Sequence, residues 1–254
     1  GLRSYDRGMP EEINRVLTDQ ISDLLFITEK SALANLVREG IDPARVEFVG
    51  NVMIDTLYRN LEHAVPASRT LGTKLPQYAV LTLHRPSNVD DPATLAGLLD
   101  TIGEINRSLP VVMPLHPRTR GNIEKFGLTA RLDGLHILPP VGYLEMLGLM
   151  RDAKLVLTDS GGIQEETTAL GVPCLTLREN TERPITLDEG TNTLVGADPA
   201  AIRAAFNDVM THGGKAGRIP EYWDGRAAIR IAYTLKGWLP QLKGASAISG
   251  IKAA

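Results

Sequence analysis

Short apolar runs alternate with helix-length segments along most of the chain. Apolar runs of strand length, bounded by turn residues, predict β-strands. These runs cover residues 24–28, 46–49, 78–83, 111–115, 135–138, 155–158, 172–177 and 192–195. Strands that alternate with helices are typical of a mostly parallel sheet with helices on both faces. The pattern therefore predicts an α/β fold.

Helices are predicted where apolar residues recur every three or four positions. The first begins at Pro10, with Ile13, Val16, Leu17, Gln20 and Ile21 on one stripe. Glu11 and Arg15 fall on its opposite face, four residues apart, where the pattern alone predicts a solvated ion pair worth roughly 0.3 to 0.5 kcal/mol. The other predicted helices cover residues 29–39, 92–107, the region near 121, 143–150, 161–170, 200–210 and a segment after Pro220.

The apolar pattern weakens between Asp55 and Pro76, where prolines and a glycine accumulate. Such composition is typical of a connection between domains. We therefore divide the chain into a first domain over 1–54, a connection over 55–76, a second domain over 77–220 and a helix over 221–240 that returns to the first domain. Residues 241–254 are small and weakly patterned, which predicts a mobile tail.

The stretch over residues 155–171 combines a strand, a glycine turn and a helix. Ser160, Gly161 and Gly162 stand where the strand ends and the helix begins. Two glycines let a ligand approach the backbone, and the first helical turn offers unpaired N–H groups to an anion. This arrangement suits a phosphate, and a carboxylate inside the helix, Glu165 or Glu166, suits sugar hydroxyls beside it. The alternative is that Ser160 caps the helix while the glutamates respond to its dipole.

Polar groups also follow the other predicted strands. His84 and Arg85 follow one strand, while His116 and Arg118 stand directly after another. Since the carboxyl ends of parallel strands meet at one edge, these side chains could face an anionic diphosphate there. The run over residues 178–184 contains two arginines and a threonine, and fits either a substrate loop or an exposed polar turn.

Composition and charge exclude several classes of protein. The net charge is −3 and the pI is near 6.0, so no basic stripe is available to bind nucleic acid. No apolar stretch is long enough to span a bilayer. The single cysteine, Cys174, favours a reducing compartment, hence the cytoplasm. The histidines do not share a helix face and no cysteine cluster accompanies them, so we predict no metal site.

Several segments together resemble the UDP-N-acetylglucosamine 2-epimerase family. The resemblance runs in order from Gly1 to about Leu239. It implies the glycosyltransferase-B type of architecture, with two Rossmann-like domains, parallel sheets and an active site between them. The family interconverts UDP-N-acetylglucosamine and UDP-N-acetylmannosamine without a nicotinamide cofactor, and homodimers are common in it. The matching segments are Gly1-Leu2-Arg3-Ser4, residues 9–15, 49–55 and 82–85 with Asn88, then 158–166, 181–184 and 189–191.

The resemblance also implies roles for individual residues. It assigns catalytic roles to Glu11, Arg15 and His84, which reverses the expectation of a merely solvated pair. Together with His116, which its strand end suggests, the residues predicted in substrate binding are Arg3, Pro140, Tyr143, Leu144, Ser160, Gly161, Gly162, Glu166, Arg178, Thr181 and Arg183. Among these, Ser160 to Gly162 would hold the diphosphate, Glu166 the ribose, and Pro140 to Leu144 the uracil. No cofactor and no metal are implied.

The implied reaction eliminates UDP across C1 and C2 of the sugar and re-adds it with the opposite configuration at C2. Relative to the family, the chain begins within the first domain. We therefore expect that domain to be incomplete here and the helices before Asn51 to expose apolar faces. The alternatives are a UDP-sugar-binding unit without turnover and a 2-epimerase for a diacetamido-uronic UDP-sugar. A hydrolysing relative also stays open, whereas a retaining glycosyltransferase fits the segment from Pro10 to Arg15 less well.

Overall fold

A computed structural model of the chain describes residues 1–248, and the surroundings of side chains up to residue 240. The predicted tail over 241–254 falls partly on residues 249–254, which lie outside the described residues. The strands are β1 (Leu25–Ile27), β2 (Val46–Phe48), β3 (Ala79–Thr82), β4 (Val111–Pro114), β5 (His136–Leu138), β6 (Leu155–Thr158), β7 (Cys174–Thr176) and β8 (Asn192–Leu194).

Twelve helices are found in the described part of the chain. They are α1 (Pro10–Ile21), α2 (Lys30–Arg38), α3 (Val52–Leu61), α4 (Ala67–Leu71), α5 (Pro86–Val89), α6 (Pro92–Asn106), α7 (Pro117–Lys125), α8 (Tyr143–Arg151), α9 (Gly161–Leu170), α10 (Pro184–Asp188), α11 (Pro199–His212) and α12 (Ala227–Ile248). No helix within the described residues is long and apolar enough to cross a membrane.

Six strands form one parallel sheet in the order β5-β4-β3-β6-β7-β8. Its central strands β3 and β6 are buried throughout, which explains why they read as continuous apolar runs. Alternate side chains of β3 enter two cores, with Leu81 in the cluster that includes α6 and α11 and Val80 in the cluster that includes α8. The predicted parallel α/β sheet is confirmed.

The strand order of this sheet reverses beside β3. The chain runs from β3 outward to β4 and β5, then returns to β6 on the other side of β3. In open α/β sheets, ligands bind at the carboxyl edge where the order reverses, because the helices that follow the two strands diverge there. Loops after Thr82 and Thr158 therefore border the crevice that is best placed for a ligand.

The first block of the chain is smaller and less covered. Strands β1 and β2 form a parallel pair, against which α2 packs Ala32 and Leu36. On α1 the apolar stripe faces outward, with Leu17 59% and Ile21 84% exposed, and Glu12 is the buried residue of that helix. The expectation that helices before Asn51 expose apolar faces is confirmed.

The predicted connection contains two helices, α3 and α4, which the sequence pattern missed. Ile54 and Leu57 of α3 are fully buried in a cluster with Leu147 and Trp223. The helical period was hard to see because α3 is short and buries few apolar positions. The domain division itself stays a prediction.

The start of α12 is bound by α3, and the segment before it is bound by the first block. The carboxylate of Asp55 accepts hydrogen bonds from the amides of Ala227 and Ala228, at 3.1 and 2.7 Å. These are the first amides of α12, which have no partner within the helix, so Asp55 caps it from a distant part of the chain. Trp223 also donates its indole N–H to the carbonyl oxygen of Thr28 at 3.1 Å.

Candidate active site

A histidine and an aspartate meet where β3 and β6 end. The Nδ1 atom of His84 lies 2.8 Å from Oδ1 of Asp159, whose side chain is fully buried while His84 is partly exposed. These two residues follow neighbouring strands of the sheet, so the parallel pairing of β3 with β6 brings them together. The pair therefore lies at the crevice predicted from the strand order.

Asp159 collects hydrogen bonds from several donors besides the imidazole. Its carboxylate accepts from the amide of Arg85 at 2.8 Å, from the amide of His84 at 3.0 Å and from the side chain of Asn88 at 3.2 Å. Burial raises the pKa of Asp159, but these donors and the adjacent His84 outweigh burial, and the pKa falls below its ordinary value.

The ionised Asp159 fixes the tautomer of His84. A carboxylate can only accept, so the proton on the imidazole must lie on Nδ1. In the neutral ring the opposite nitrogen, Nε2, is then an acceptor, and it donates to a ligand only when it is protonated as well. This arrangement orients the ring in the same way that a buried carboxylate orients histidines in hydrolytic triads.

His84 also borders a cavity of about 180 Å³ at the same edge of the sheet. His116 and Pro140 line this cavity with it, and the two imidazole rings lie 5.8 Å apart between centroids. Two residues predicted separately from strand ends, His84 and His116, are thus brought together. Nδ1 of His116 accepts the amide N–H of Arg118 at 3.1 Å, which places its own proton on Nε2 when the ring is neutral. Arg118 forms an ion pair with Asp90 and does not line this cavity.

The start of α9 presents an uncapped turn to the crevice. The side chain of Ser160 makes no capping hydrogen bond, so the alternative that this serine serves as the helix cap is wrong. A Cβ added to Gly162 would meet nothing within 4 Å, whereas one on Gly161 would lie 2.9 Å from Oε1 of Glu182. Only Gly162 therefore leaves the open space that both glycines were predicted to provide.

The two glutamates of α9 have separate surroundings, although both are buried. Burial raises the pKa of Glu166 to about 7, against the lowering effect of a hydrogen bond with Tyr143. Glu165 lies 2.9 Å from the guanidinium of Arg183 and accepts a 2.9 Å hydrogen bond from Asn51 of the first block. Glu166 is thus placed beside the predicted uracil-binding residues, while Glu165 joins α9 to the first block.

The polar run after β7 is docked against α9 and is not an exposed turn. Arg178 is buried and lies 2.9 Å from the carboxylate of Glu182, which is buried as well. Thr181 donates its hydroxyl to Gln164 of α9 at 2.7 Å and accepts the amide N–H of Arg183 at 3.0 Å. Of the two alternatives for this run, the exposed polar turn is wrong.

The residues predicted to bind the uracil lie near the same edge of the sheet. Pro140 and Tyr143 are exposed, and Leu144 is half-buried, with its carbonyl oxygen accepting the amide of Val65 at 2.9 Å. Tyr143 forms a hydrogen bond with the buried Glu166, so this exposed surface lies beside α9. A planar base could lie on this surface, and its role stays a prediction.

The predicted pairing of Glu11 with Arg15 is wrong. Glu11 is exposed, and the guanidinium of Arg15 lies 2.7 Å from the carboxylate of Glu12. The amides of Ser4 and Tyr5 turn Glu12 inward by donating to its carboxylate at 3.1 and 2.9 Å. Within the described residues, the side-chain hydrogen bonds and ion pairs of α1 go to the first block and not to the β3–β6 edge.

Arg3 occupies a structural position. Its buried guanidinium bonds Glu39 at 2.8 and 2.6 Å, Asp19 at 2.7 Å and the carbonyl oxygen of Leu2 at 2.7 Å. These contacts join the chain start to α1 and to the end of α2. The predicted substrate contact by Arg3 is not supported by this placement, because four of its five N–H donors are already bound within the first block.

Two polar residues of the site were not predicted from the sequence. Asp159 could have been found, because it follows its strand as His84 follows the neighbouring one. Glu182 had no such signal, since it lies in a loop whose docking depends on tertiary packing. In the described part of the chain, no group of three or more histidine, cysteine or acidic side chains could hold a metal ion.

Comparison with known proteins gives concordant matches. A family model described as UDP-N-acetylglucosamine 2-epimerase matches residues 1–236. The UDP-N-acetylglucosamine 2-epimerase of Methanococcus maripaludis is 47% identical over 212 residues, which cover 80% of this chain and 58% of that protein. The UDP-2,3-diacetamido-2,3-dideoxy-D-glucuronate 2-epimerase of Pseudomonas aeruginosa is 42% identical over 240 residues, which cover 91% and 65%.

A solved structure is also similar over most of the chain. It is the UDP-GlcNAc 2-epimerase of Methanocaldococcus jannaschii in complex with UDP-GlcNAc and UDP, with a TM-score of 0.82 and 40% identity. The match covers 92% of this chain and 67% of that one. The chain thus spans less than two thirds of the two curated relatives. The parallel sheets and this likeness confirm the predicted glycosyltransferase-B type of fold, and the chain belongs to the UDP-N-acetylglucosamine 2-epimerase family.

Proposed function

We propose that this chain carries the UDP-binding part of a UDP-N-acetylglucosamine 2-epimerase, which interconverts UDP-GlcNAc and UDP-ManNAc. The observation that carries the proposal is the His84–Asp159 pair beside the open start of α9, at the edge where the strand order reverses. Relatives in the same family are named for this reaction. The helix start offers donors to a diphosphate, and His84 adds one when its Nε2 is protonated.

The UDP moiety would bind along this edge. Ser160, Gly161 and Gly162 would hold the diphosphate with backbone N–H groups at the positive end of α9. Glu166 would accept hydrogen bonds from the ribose hydroxyls, and Pro140, Tyr143 and Leu144 would lie along the uracil. Arg178, Thr181 and Arg183 belong to the docked loop that borders the same helix.

The reaction breaks the C2–H and C1–O bonds of the sugar and forms a C1–C2 double bond, then reverses these steps from the other face. A base must take the C2 proton while the departing diphosphate gains charge. His84 would stabilise that charge together with the amides of α9 when Nε2 carries a proton as well as Nδ1. Glu11, with Arg15 nearby on α1, is the proposed group for proton transfer.

The described residues do not determine which substituents the sugar carries at C3 and C6. A relative at 47% identity is named for UDP-GlcNAc and one at 42% for the diacetamido-uronic sugar. We propose UDP-GlcNAc as the substrate, with the uronic sugar as the alternative. We also propose a homodimer and a cytoplasmic location, the latter because the single cysteine is free and buried.

A second candidate function is binding of UDP or a UDP-sugar without turnover. It is favoured by the exposure of Glu11 and by the contacts of α1, which stay within the first block. Since the chain spans 58% of its relative from Methanococcus maripaludis, groups that the reaction needs could belong to further sequence.

Incubation of the chain with UDP-GlcNAc in heavy water separates these functions. The sugar C2 proton is followed by NMR, and UDP binding is followed by calorimetry. Deuterium at C2 with the appearance of UDP-ManNAc would establish the epimerase. UDP binding without exchange would support the second candidate, and the absence of both would contradict the proposal.

A further inference from the structure

Glu182 gathers two arginines from different strand ends. Its Oε2 atom lies 2.9 Å from the guanidinium of Arg178, in the loop after β7. Its Oε1 atom lies 3.7 Å from the guanidinium of Arg85, which follows β3 next to His84. One buried carboxylate therefore holds cations from both sides of the crevice.

The same carboxylate lies against the start of α9. A Cβ on Gly161 would come within 2.9 Å of Oε1 of Glu182, a distance that side chains do not tolerate without a shift. The equivalent position on Gly162 is open to 4 Å. Gly161 therefore admits a carboxylate of the chain itself, while Gly162 leaves space for a ligand.

Charge favours this arrangement strongly enough to keep Glu182 ionised. Burial opposes ionisation, but the adjacent guanidinium of Arg178, with a further contribution from the charge of Arg183, lowers the pKa of Glu182 to about 2. Glu182 does not bind every N–H donor of these two arginines. Among the described residues, Nη1 of Arg178 and Nε of Arg85 are buried without a hydrogen-bond partner, so each retains a donor for a further anion.

We propose that Glu182 is a positioning residue of the diphosphate site, which holds Arg85 and Arg178 beside the start of α9 and orients their remaining donors toward the ligand. This inference rests on the proposed function for the identity of the ligand. Donors fixed before binding need no reorganisation when the charge arrives, which is why a carboxylate near a phosphate site can strengthen binding.

The direction in which one substitution changes UDP affinity tests the inference. Glu182→Gln removes a negative charge beside the diphosphate, so charge alone would make UDP bind more tightly. Loss of positioning predicts the opposite, a UDP dissociation constant about tenfold higher with uridine affinity changed less than threefold, measured by calorimetry. Tighter or unchanged UDP binding by this variant would overturn the inference.

Controls separate this result from general damage. Glu179→Gln alters an exposed carboxylate in the same loop, which contacts the amide of Ala197 at 3.4 Å, and should leave UDP binding unchanged. If the unmodified chain does not bind UDP, the proposed function fails first.

A stability cycle tests the contact between Glu182 and Gly161 whether or not UDP binds. Gly161→Ala should lower the melting temperature of the unmodified chain, because the new Cβ meets the carboxylate. In the Glu182→Ala background the same substitution should have no destabilising effect, and Gly162→Ala should be tolerated in both. An equal loss from Gly161→Ala in the two backgrounds would overturn this contact as the reason for the glycine.

Discussion

The acidic residues at the carboxyl edge of the six-stranded sheet and Glu11 of helix α1 are held in opposite ways. At the sheet edge, Asp159 and Glu165 are buried and accept hydrogen bonds from separate parts of the chain, and the buried Glu182 lies between Arg178 and Arg85. On α1, Glu12 is also buried and is held by Arg15 and by two backbone amides, whereas Glu11 is exposed. The sheet edge is thus organised before a ligand arrives, and the proposed proton-transfer group is not.

This difference separates the two tasks of the proposed enzyme. Binding of the nucleotide and stabilisation of the leaving diphosphate depend on groups that the described residues already fix. Proton transfer at C2 depends on Glu11, whose position is not fixed by hydrogen bonds within that part of the chain. Substitutions at the sheet edge should therefore affect binding and structure, whereas substitution of Glu11 should affect only chemistry.

The largest effect is expected from Asp159→Asn. The amide cannot keep the proton of His84 on Nδ1 in the same way, since its NH₂ group is itself a donor. We expect exchange at the sugar C2 to slow by at least about 100-fold, with a change of tautomer seen in the nitrogen NMR shifts of His84. An unchanged tautomer would contradict the role given to Asp159.

A matched control for that substitution is Asp90→Asn. Asp90 also forms an ion pair with an arginine close to a strand end, but the pair with Arg118 is exposed. Surface pairs contribute little, so exchange and stability should stay near those of the unmodified chain.

An intermediate effect is expected from Glu166→Gln, with a definite dependence on pH. The pKa of Glu166 is raised from 4.5 to about 7, so folding favours its protonated form. The stabilisation this provides is complete below pH 4.5 and is lost as the pH rises through 7. The variant should therefore be more stable than the unmodified chain at pH 8, by about 3 kcal/mol at most, and equal to it at pH 4 in thermal melts.

The same group should make UDP binding depend on pH. Ribose hydroxyls donate to the ionised carboxylate, so binding should release a proton near pH 7 and weaken as the pH falls below it. Calorimetry in two buffers of different ionisation enthalpy measures that proton, and Glu166→Gln should abolish its release. A proton count that is the same in both proteins would rule out Glu166 as the ribose acceptor.

The smallest effect on stability distinguishes Glu12 from its neighbour Glu11 on α1. Glu12→Gln should lower the free energy of unfolding by about 1–2 kcal/mol, because it weakens a buried acceptor for Ser4, Tyr5 and Arg15. Glu11→Gln should leave stability and UDP affinity unchanged and slow exchange at C2. Chemical denaturation and the exchange assay measure the two effects, and a loss of stability from Glu11→Gln alone would contradict the contrast.

The fold could be predicted well because the strands and most helices follow from the local pattern of apolar and polar residues. Continuous apolar runs such as those of β3 and β6 identify buried parallel strands, and the strand-end rule brings His84 and His116 to one edge. Helix α3 was missed because Ile54 and Leu57 give too few turns of periodicity. Sequence pattern identifies burial of apolar positions more reliably than it identifies short helices.

Pairing within the site could not be predicted in the same way. Spacing on α1 favoured Glu11 as the partner of Arg15, but backbone amides of Ser4 and Tyr5 select Glu12 instead. The roles of Gly161 and Gly162 differ because Glu182 folds back from a distant loop. Such choices are made by tertiary contacts, which a single sequence does not display.

The central claim is that the sheet edge between β3 and β6 binds the UDP moiety by itself. A titration of the nitrogen-15-labelled chain with UDP, followed through its amide resonances, tests it most directly. The account predicts saturable shifts at Ser160 to Gly162 and at Tyr143, with the amides of α1 unchanged. Shifts confined to other parts of the chain, or no shifts at all, would contradict it.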